Sequence, residues 1–325
     1  MLLNAQNLPE LETYLKIKGW LSPIESIVSA EKPGEGNMNY TLRISTERRT
    51  FIIKQSRPYV EKYPTIAAPV ERAVTEGHFY QKIQTIPKLQ AFMPQLLGVD
   101  VENSILVLED LGISSDYTFL YQPNQTIAEA EIAQLMTYAS VLHNSFSGES
   151  DPQFANRTMR ALNHEHIFLY PLMEDNGFNL DIVQAGLQAL AMPYKQNEDL
   201  KNKAKALGDI YLEDGKHLLH GDFYLGSFLK TEADIKVIDP EFCFYGPAEF
   251  DLGVLIAHLK MARQSDNIIK AVRQHYQAPP HFDETLMNQF VGIEIIRRLI
   301  GLAQLPLSLS LEEKDSLLKE ATLLC

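Results

Sequence analysis

The stretch His220–Tyr245, HGDFYLGSFLKTEADIKVIDPEFCFY, constrains this chain more than any other. It opens on a tight polar turn, His220-Gly221-Asp222. The apolar piece Phe228-Leu229 and the run Ile235-Lys236-Val237-Ile238 read as a β-turn-β unit that ends on Asp239-Pro240-Glu241. One acid thus sits on a loop, and two more follow 17 and 19 residues later, beyond strands that fold back on themselves. Three carboxylates at the mouth of one small sheet suit a base plus ligands for a hard cation. Mg²⁺ takes one or two carboxylates together with phosphate oxygens. A surface turn followed by a capped strand accounts for His220-Gly221-Asp222 alone, but not for the whole spacing.

A chain of 325 residues exceeds what one compact core usually holds, so two lobes are expected. A net charge of −13 repels nucleic acid and anionic membrane, which excludes both as expected partners. The same field repels a nucleotide, so a nucleotide site needs local cations, backbone N–H groups and metal. Two cysteines, Cys243 and Cys325, make neither a disulfide framework nor a zinc spacing and fit a reducing cytoplasm. No secretory leader and no membrane span are expected, because the start of the chain lacks a basic segment and no apolar run approaches about 18 residues.

In the first third, residues 8–19 read as a helix with Pro9 in its first turn. Residues 24–30, 41–44 and 50–54 read as strands. Gly34-Glu35-Gly36-Asn37-Met38-Asn39 lies between the first two. Two readings are open there and are compatible: an ordinary hairpin turn, or a backbone that lies close over phosphates. Lys54 ends the third strand. The segment from about Pro69 to Gln84 reads as a helix that offers Glu71 and Glu76. Residues 104–111 form an apolar strand that runs into Glu109, Asp110 and Leu111.

The remainder reads as mainly helical. Thr126 and Glu129 make a capping-box pair, and residues 181–192 and 198–213 are further helices. Asn163-His164-Glu165-His166 reads as a polar loop, since its two histidines lack a third ligand at recognisable spacing. Asp251, in Phe250-Asp251-Leu252-Gly253, opens a helix, where it reads as an N-terminal charge. Arg297 and Arg298 stand about 100° apart on an otherwise apolar helix. They are either a salt-bridge pair or a brace and a cleft-facing cation.

These features resemble the small-molecule branch of the protein-kinase-like fold, which includes the aminoglycoside phosphotransferases, and within it the methylthioribose kinases. The likeness runs from Gly34 to Ala303. It is carried by the Gly34–Asn39 loop, Lys54-Gln55-Ser56-Arg57-Pro58-Tyr59-Val60, the His220–Pro247 region with Ser227 and Asp239-Pro240-Glu241, and Arg297-Arg298. The resemblance implies an α+β, bilobal fold. A small antiparallel-sheet lobe, 1–110, would bind nucleotide, and a larger mainly helical lobe, 111–325, would bind the acceptor. It implies Asp222 as the catalytic base and Asp239 and Glu241 as the Mg²⁺ pair, and it gives Asp251 a second reading, as a brace for the His220 turn. Lys54, Glu76, Gly34, Gly36, Asn37, Asn39, Glu109 and Leu111 are the implied ATP site. Arg297, Arg298 and Ser227 fall on the acceptor, a small polar and sugar-like molecule, and a homodimer is implied as well.

Three departures bear on the acceptor side. Tyr224-Leu225 stand where the family usually has His-Thr, the segment 61–69 lacks the usual Trp, and the chain is several tens of residues shorter than typical members. Three alternatives stay open: a kinase of an aminoglycoside or amino alcohol, a nucleotide-binding module without catalysis, and a metal-dependent hydrolase built on the three acids.

Overall fold

The computed structural model describes residues 1–34, 38–148 and 151–325. The chain forms two compact units. The first is Met1–Ser114 with Thr231–Cys243, and the second is Ser115–Lys230 with Phe244–Cys325. The first unit thus runs past the boundary expected near residue 111. It also takes back a later segment, which no single cut of the chain can produce.

The first unit is built on an antiparallel sheet. Its strands are β1 (Ile27–Glu31), β2 (Tyr40–Thr46), β3 (Thr50–Gln55), β4 (Leu96–Asp100) and β5 (Ile105–Glu109), in the order β1-β2-β3-β5-β4. Side chains alternate across a strand, and the two faces of β3 take different jobs. Phe51 and Ile53 join Leu42, Ile44, Ile105 and Val107 in a core closed by Leu11 and Leu15 of the helix Leu8–Ile17. That helix is capped by the Asn7 side chain, with Pro in its first turn. Lys54 belongs to the opposite face, where the helix Arg72–Ile83 packs on β4 and β5. The register sets Lys54 between Thr41 on β2 and Leu106 on β5.

The strand Ile235–Val237 belongs to the same unit, and the Val237 N–H donates to the Phe92 carbonyl at 2.7 Å. It leads into Asp239, whose backbone is left-handed (φ 63°), and a single turn, Pro240–Phe242, that packs on the helix Arg72–Ile83. A left-handed residue that is not glycine is uncommon, though Asp tolerates the region better than most. Here it turns the chain sharply at the strand's end.

The second unit is largely helical. Its centre is the helix Glu249–Met261, buried on nearly every side, which packs against Glu284–Ile300, itself covered by Leu311–Leu324. A helix apolar all round is stable only when enclosed in this way. The close approach rests on Gly253, where a Cβ would stand 2.5 Å from the Phe290 Cβ. Beside these helices the strands His217–Leu219 and Phe244–Gly246 pair antiparallel, Leu219 opposite Phe244.

Several local expectations are corrected. The helix expected to be capped at Thr126 begins at Glu129, and Glu131, not Glu129, reaches back to the Ala128 N–H at 2.8 Å. The segment read as a polar loop at 163–166 is helical, since Arg157–His164 runs on into a wide turn over Glu165–Leu169. Its apolar residues Ile167 and Phe168 are buried, and that burial decides the conformation of the polar residues beside them. The helix expected over 181–192 is a short turn, Leu180–Ile182, followed by the helix Leu187–Lys195 after Gly186 at φ 87°. Among the described residues no helix is long and apolar enough to cross a membrane.

Gly98 on β4 offers a direct test of packing in the first unit. A Cβ there would lie 2.0 Å from Trp20 Nε1, on a rigid ring that cannot give way cheaply. Gly98→Ala is expected to destabilise the protein by about 1–3 kcal/mol. Urea unfolding followed by the emission of Trp20, the single tryptophan, measures this. An unchanged midpoint and spectrum would contradict the packing described.

Candidate active site

In the first unit the chemistry gathers around Lys54. Its Nζ lies 2.9 Å from Glu76 Oε1 and also contacts Asp239 Oδ1. Glu76 has no exposed surface, whereas the Asp239 side chain keeps 43% of its own. Burial alone would depress the Lys54 ammonium, but Asp239 and Glu76 outweigh it and hold the pKa well above the usual value. Two residues beyond Asp239, Glu241 is buried, accepts from Asn39 Nδ2 at 2.9 Å and pairs with Arg72 at 3.4 Å. Arg72 is fully buried. Its guanidinium also donates to Asn39 Oδ1 at 2.9 Å and to the carbonyls of Met38 and Arg57. Asn39 is therefore tied to Glu241 and Arg72 through side-chain bonds.

Were Glu76, Asp239 and Glu241 all ionised, they would face only two cations, Lys54 and Arg72. Burial, with Glu76 close by, pushes the Glu241 carboxyl up to about 8. Burial also raises Glu76, against the pull of Lys54. An added cation beside Glu241 would favour its ionised form. Among the described residues no group of three or more His, Cys, Asp or Glu side chains is placed to hold a metal ion. Asp239 and Glu241, two residues apart, are the acids that stand beside Lys54 and Arg72. Mg²⁺ commonly uses one or two carboxylates and completes its octahedron with phosphate oxygens and water, so the pair fits that ion.

The other residues read as nucleotide contacts are less informative. Gly34 ends its described segment, where a Cβ would meet nothing within 4 Å. Gly36 and Asn37 lie outside the described residues. The Glu109 N–H donates to the Gln95 carbonyl at 2.8 Å, and its carboxylate accepts from the Gln95 N–H at 3.0 Å. Asp110, just before Leu111, is fixed by Arg43 at 2.8 Å.

In the second unit the His220-Gly221-Asp222 turn is held from below by Asp251. Its carboxylate accepts from the His220 N–H at 2.7 Å and the Gly221 N–H at 3.0 Å, and His143 Nε2 lies 3.2 Å away. Of the two open readings of Asp251, the geometry is that of a brace. Gly221 sits at φ 83°, a conformation that favours glycine. The Asp222 carbonyl accepts from the Ser227 hydroxyl at 2.7 Å and from the Tyr224 N–H at 3.0 Å. Ser227 is 1% exposed, so its hydroxyl holds the loop rather than facing an acceptor as expected.

Arg297 and Arg298 both bind Glu294. Arg298 Nε donates at 2.6 Å and Arg297 Nη1 at 3.0 Å. Arg298 Nη2 stands 3.8 Å from Asp222 Oδ1, and its guanidinium lies over the Tyr224 ring at 5.1 Å. His258 Nε2 is 2.9 Å from Glu294 Oε1, and its Nδ1 is 2.5 Å from the Tyr121 hydroxyl. Both readings of the arginine pair hold in part: the salt bridges form, and one arginine also reaches the Asp222 carboxylate. Sequence reasoning missed Glu294, His258, Tyr121 and Arg72 as members of these clusters. For Glu294 a signal existed, since it precedes the arginines by three and four residues, the spacing of neighbours on a helix face. For the others nothing local marks them.

The sequence model of the phosphotransferase enzyme family matches residues 29–287. The methylthioribose kinase of Exiguobacterium sibiricum is 28% identical, covering 85% of this chain and 80% of that protein. The methylthioribose kinase of Bacillus velezensis is also 28% identical, covering 89% and 82%. Among solved structures, a spectinomycin phosphotransferase with ADP and spectinomycin superposes with a TM-score of 0.54 at 14% identity, over 100% of this chain and 98% of that one. The choline kinase LicA from Streptococcus pneumoniae gives 0.52 at 14%, over 97% and 98%. At these identities the structural likeness speaks for the fold.

Burial holds His258 near 4, below its ordinary 6.5, although Glu294 pulls the other way. The unfolded chain therefore binds a proton that the folded chain refuses between those values. The stability that His258 contributes is whole above pH 6.5 and is lost progressively as pH falls towards 4, by about 3 kcal/mol in all. Thermal unfolding across that window is expected to show the loss, and His258→Gln is expected to flatten it. Identical slopes for the two proteins would refute this.

Proposed function

The chain belongs to the phosphotransferase enzyme family, and from that premise we propose that it transfers the γ-phosphoryl group of ATP to a hydroxyl of S-methyl-5-thioribose or a close relative of that sugar. The observation that carries the acceptor is the likeness to methylthioribose kinases across 85–94% of the chain among four of the relatives compared. Magnesium as the metal, a homodimeric state and a cytoplasmic location belong to the same proposal.

In this reading Asp222, on a loop held by Asp251 and Ser227, orients the acceptor hydroxyl and takes its proton. Lys54, fixed by Glu76, holds nucleotide phosphate oxygens. Gly34, Gly36, Asn37 and Asn39 form the loop over those phosphates, and the Glu109–Leu111 backbone meets the base. Asp239 and Glu241 would hold Mg²⁺, which when bound neutralises charge on the transferring phosphoryl group. Phosphoryl transfer depends mainly on such positioning and charge stabilisation, with little covalent work for the protein. Arg298, beside Asp222, contacts the acceptor or the group in flight, and Arg297 supports it.

A second reading takes an aminoglycoside or an amino alcohol as the acceptor, in keeping with the altered Tyr224-Leu225 segment. The guanidinium 3.8 Å from Asp222 disfavours it, because a polycation would be repelled there.

ADP release with Mg-ATP separates the readings across methylthioribose, ribose, an aminoglycoside and choline. Turnover is expected on methylthioribose, and Asp222→Asn is expected to lower kcat by about 10²–10⁴-fold. Turnover on another acceptor alone would keep the mechanism and replace the substrate. ATP binding without turnover on any would favour a binding module, and absence of ATP binding would end the kinase reading.

A further inference from the structure

Arg298 is a long side chain with many rotamers to lose, yet it is held at three points. Its Nε donates to Glu294 at 2.6 Å, its guanidinium face covers the Tyr224 ring at 5.1 Å, and its Nη2 is turned to Asp222 at 3.8 Å. The last separation exceeds a direct hydrogen bond, while an oxygen set between the two could lie about 2.9 Å from each. A guanidinium of this kind is useful to an acceptor hydroxyl only if it stays in place.

What keeps it in place is a buried chain of polar groups that the reaction itself does not call for. Glu294 is 1% exposed and receives three donors: Arg298 Nε, Arg297 Nη1 and His258 Nε2. His258 has no exposed surface. Since Glu294 can only accept when ionised, the His258 proton belongs on Nε2, an assignment made from the network. Nδ1 is then the acceptor and the Tyr121 hydroxyl the donor, at 2.5 Å. The sense of the chain follows: Tyr121 donates to His258, and His258 donates to Glu294. Glu294 so oriented receives Arg298. The Tyr224 ring also packs against His258, with centroids 5.0 Å apart, so one ring touches both the middle of the chain and Arg298 at its end.

We propose that Glu294, oriented by His258 and Tyr121, is the positioning residue that aims Arg298 at the space beside Asp222. The inference rests on the reading of Asp222 as the residue that receives the acceptor hydroxyl. It assigns a task to side chains on three separate segments, Tyr121, the helix Glu249–Met261 and the helix Glu284–Ile300. A misplacement of about 1 Å in such a group can cost on the order of 10²-fold in rate, so the aim of Arg298 is a kinetic property and not only a matter of stability.

Two substitutions at His258 separate positioning from mere packing. His258→Gln keeps a donor for Glu294 and an acceptor for Tyr121, while His258→Phe keeps the bulk and removes both. With methylthioribose and Mg-ATP, His258→Phe is expected to lower kcat/KM for the acceptor by about tenfold or more. His258→Gln should stay within about threefold of the parent, and the KM for ATP should hold steady in both. Equal losses in the two variants, or a loss confined to the KM for ATP, would overturn the proposal. A readout that needs no acceptor is exchange of the Arg298 Nε–H with water, followed by ¹⁵N NMR and assigned with Arg298→Lys. Slow exchange is expected in the parent and in His258→Gln, and exchange at least about tenfold faster in His258→Phe. Equal exchange in all three would also overturn it. Full activity in Asp222→Asn would instead remove the reading of Asp222, and the exchange measurement would still decide whether the chain of donors holds Arg298.

Discussion

Glu76 has no exposed surface, and an ionised carboxylate in such a place is tolerated only where a cation meets it. Lys54 supplies that cation, and much of the first unit is arranged so that the two can meet. The β2-β3-β5 register presents Lys54 on the face opposite the apolar core. The helix Arg72–Ile83 carries Glu76 to it, and the left-handed turn at Asp239 brings a second carboxylate to the same ammonium. Removal of one member of a buried pair costs about 3–5 kcal/mol, because its partner is left charged and alone. The pair is therefore poor evidence of extra stability and good evidence that the strand, the helix and the turn are held in one arrangement.

The same logic recurs in the second unit with backbone groups in place of the cation. Asp251 is 1% exposed and is satisfied by the N–H groups of His220 and Gly221 and by His143. A loop would otherwise place such N–H groups at the surface, in water. Here a carboxylate from a buried helix takes them, and Ser227 fixes the Asp222 carbonyl from the other side. The loop keeps its shape through buried hydrogen bonds while the Asp222 side chain stays 23% exposed. Glu294 repeats the pattern a third time, with two arginines and His258 as its donors.

A good part of this was legible before any coordinates. Strand alternation around Thr50–Lys54 and the apolar stripe of the first helix are periodic signals, and the structure places elements there within a few residues. The three carboxylates of the central motif stand at spacings that few other arrangements explain. The expectations that failed depended on context. Thr126 has the chemistry of a cap, but the helix starts where Glu131 can reach back to the Ala128 N–H. Residues 163–166 have the composition of a loop, but burial of Ile167 and Phe168 next to them makes the segment helical. Ser227 was placed on the acceptor side by the resemblance, and the direction of its hydroxyl is set by the turn around Asp222.

The sequence by itself determined the α+β class, the candidate reactive side chains proposed above and the spacing that sets Asp222 apart from Asp239 and Glu241. These follow from periodicity, from residue type and from separations along the chain, all of which are local. Only the tertiary structure decided that Thr231–Cys243 joins the first unit, that Arg72 and Asn39 take up Glu241, and that Tyr121, His258 and Glu294 line up behind Arg298. Tyr121 and His258 are 137 residues apart, and Asn39 and Glu241 are 202 apart. A buried polar group takes the partner that folding brings within about 3 Å, and no pattern along the chain says which one that is.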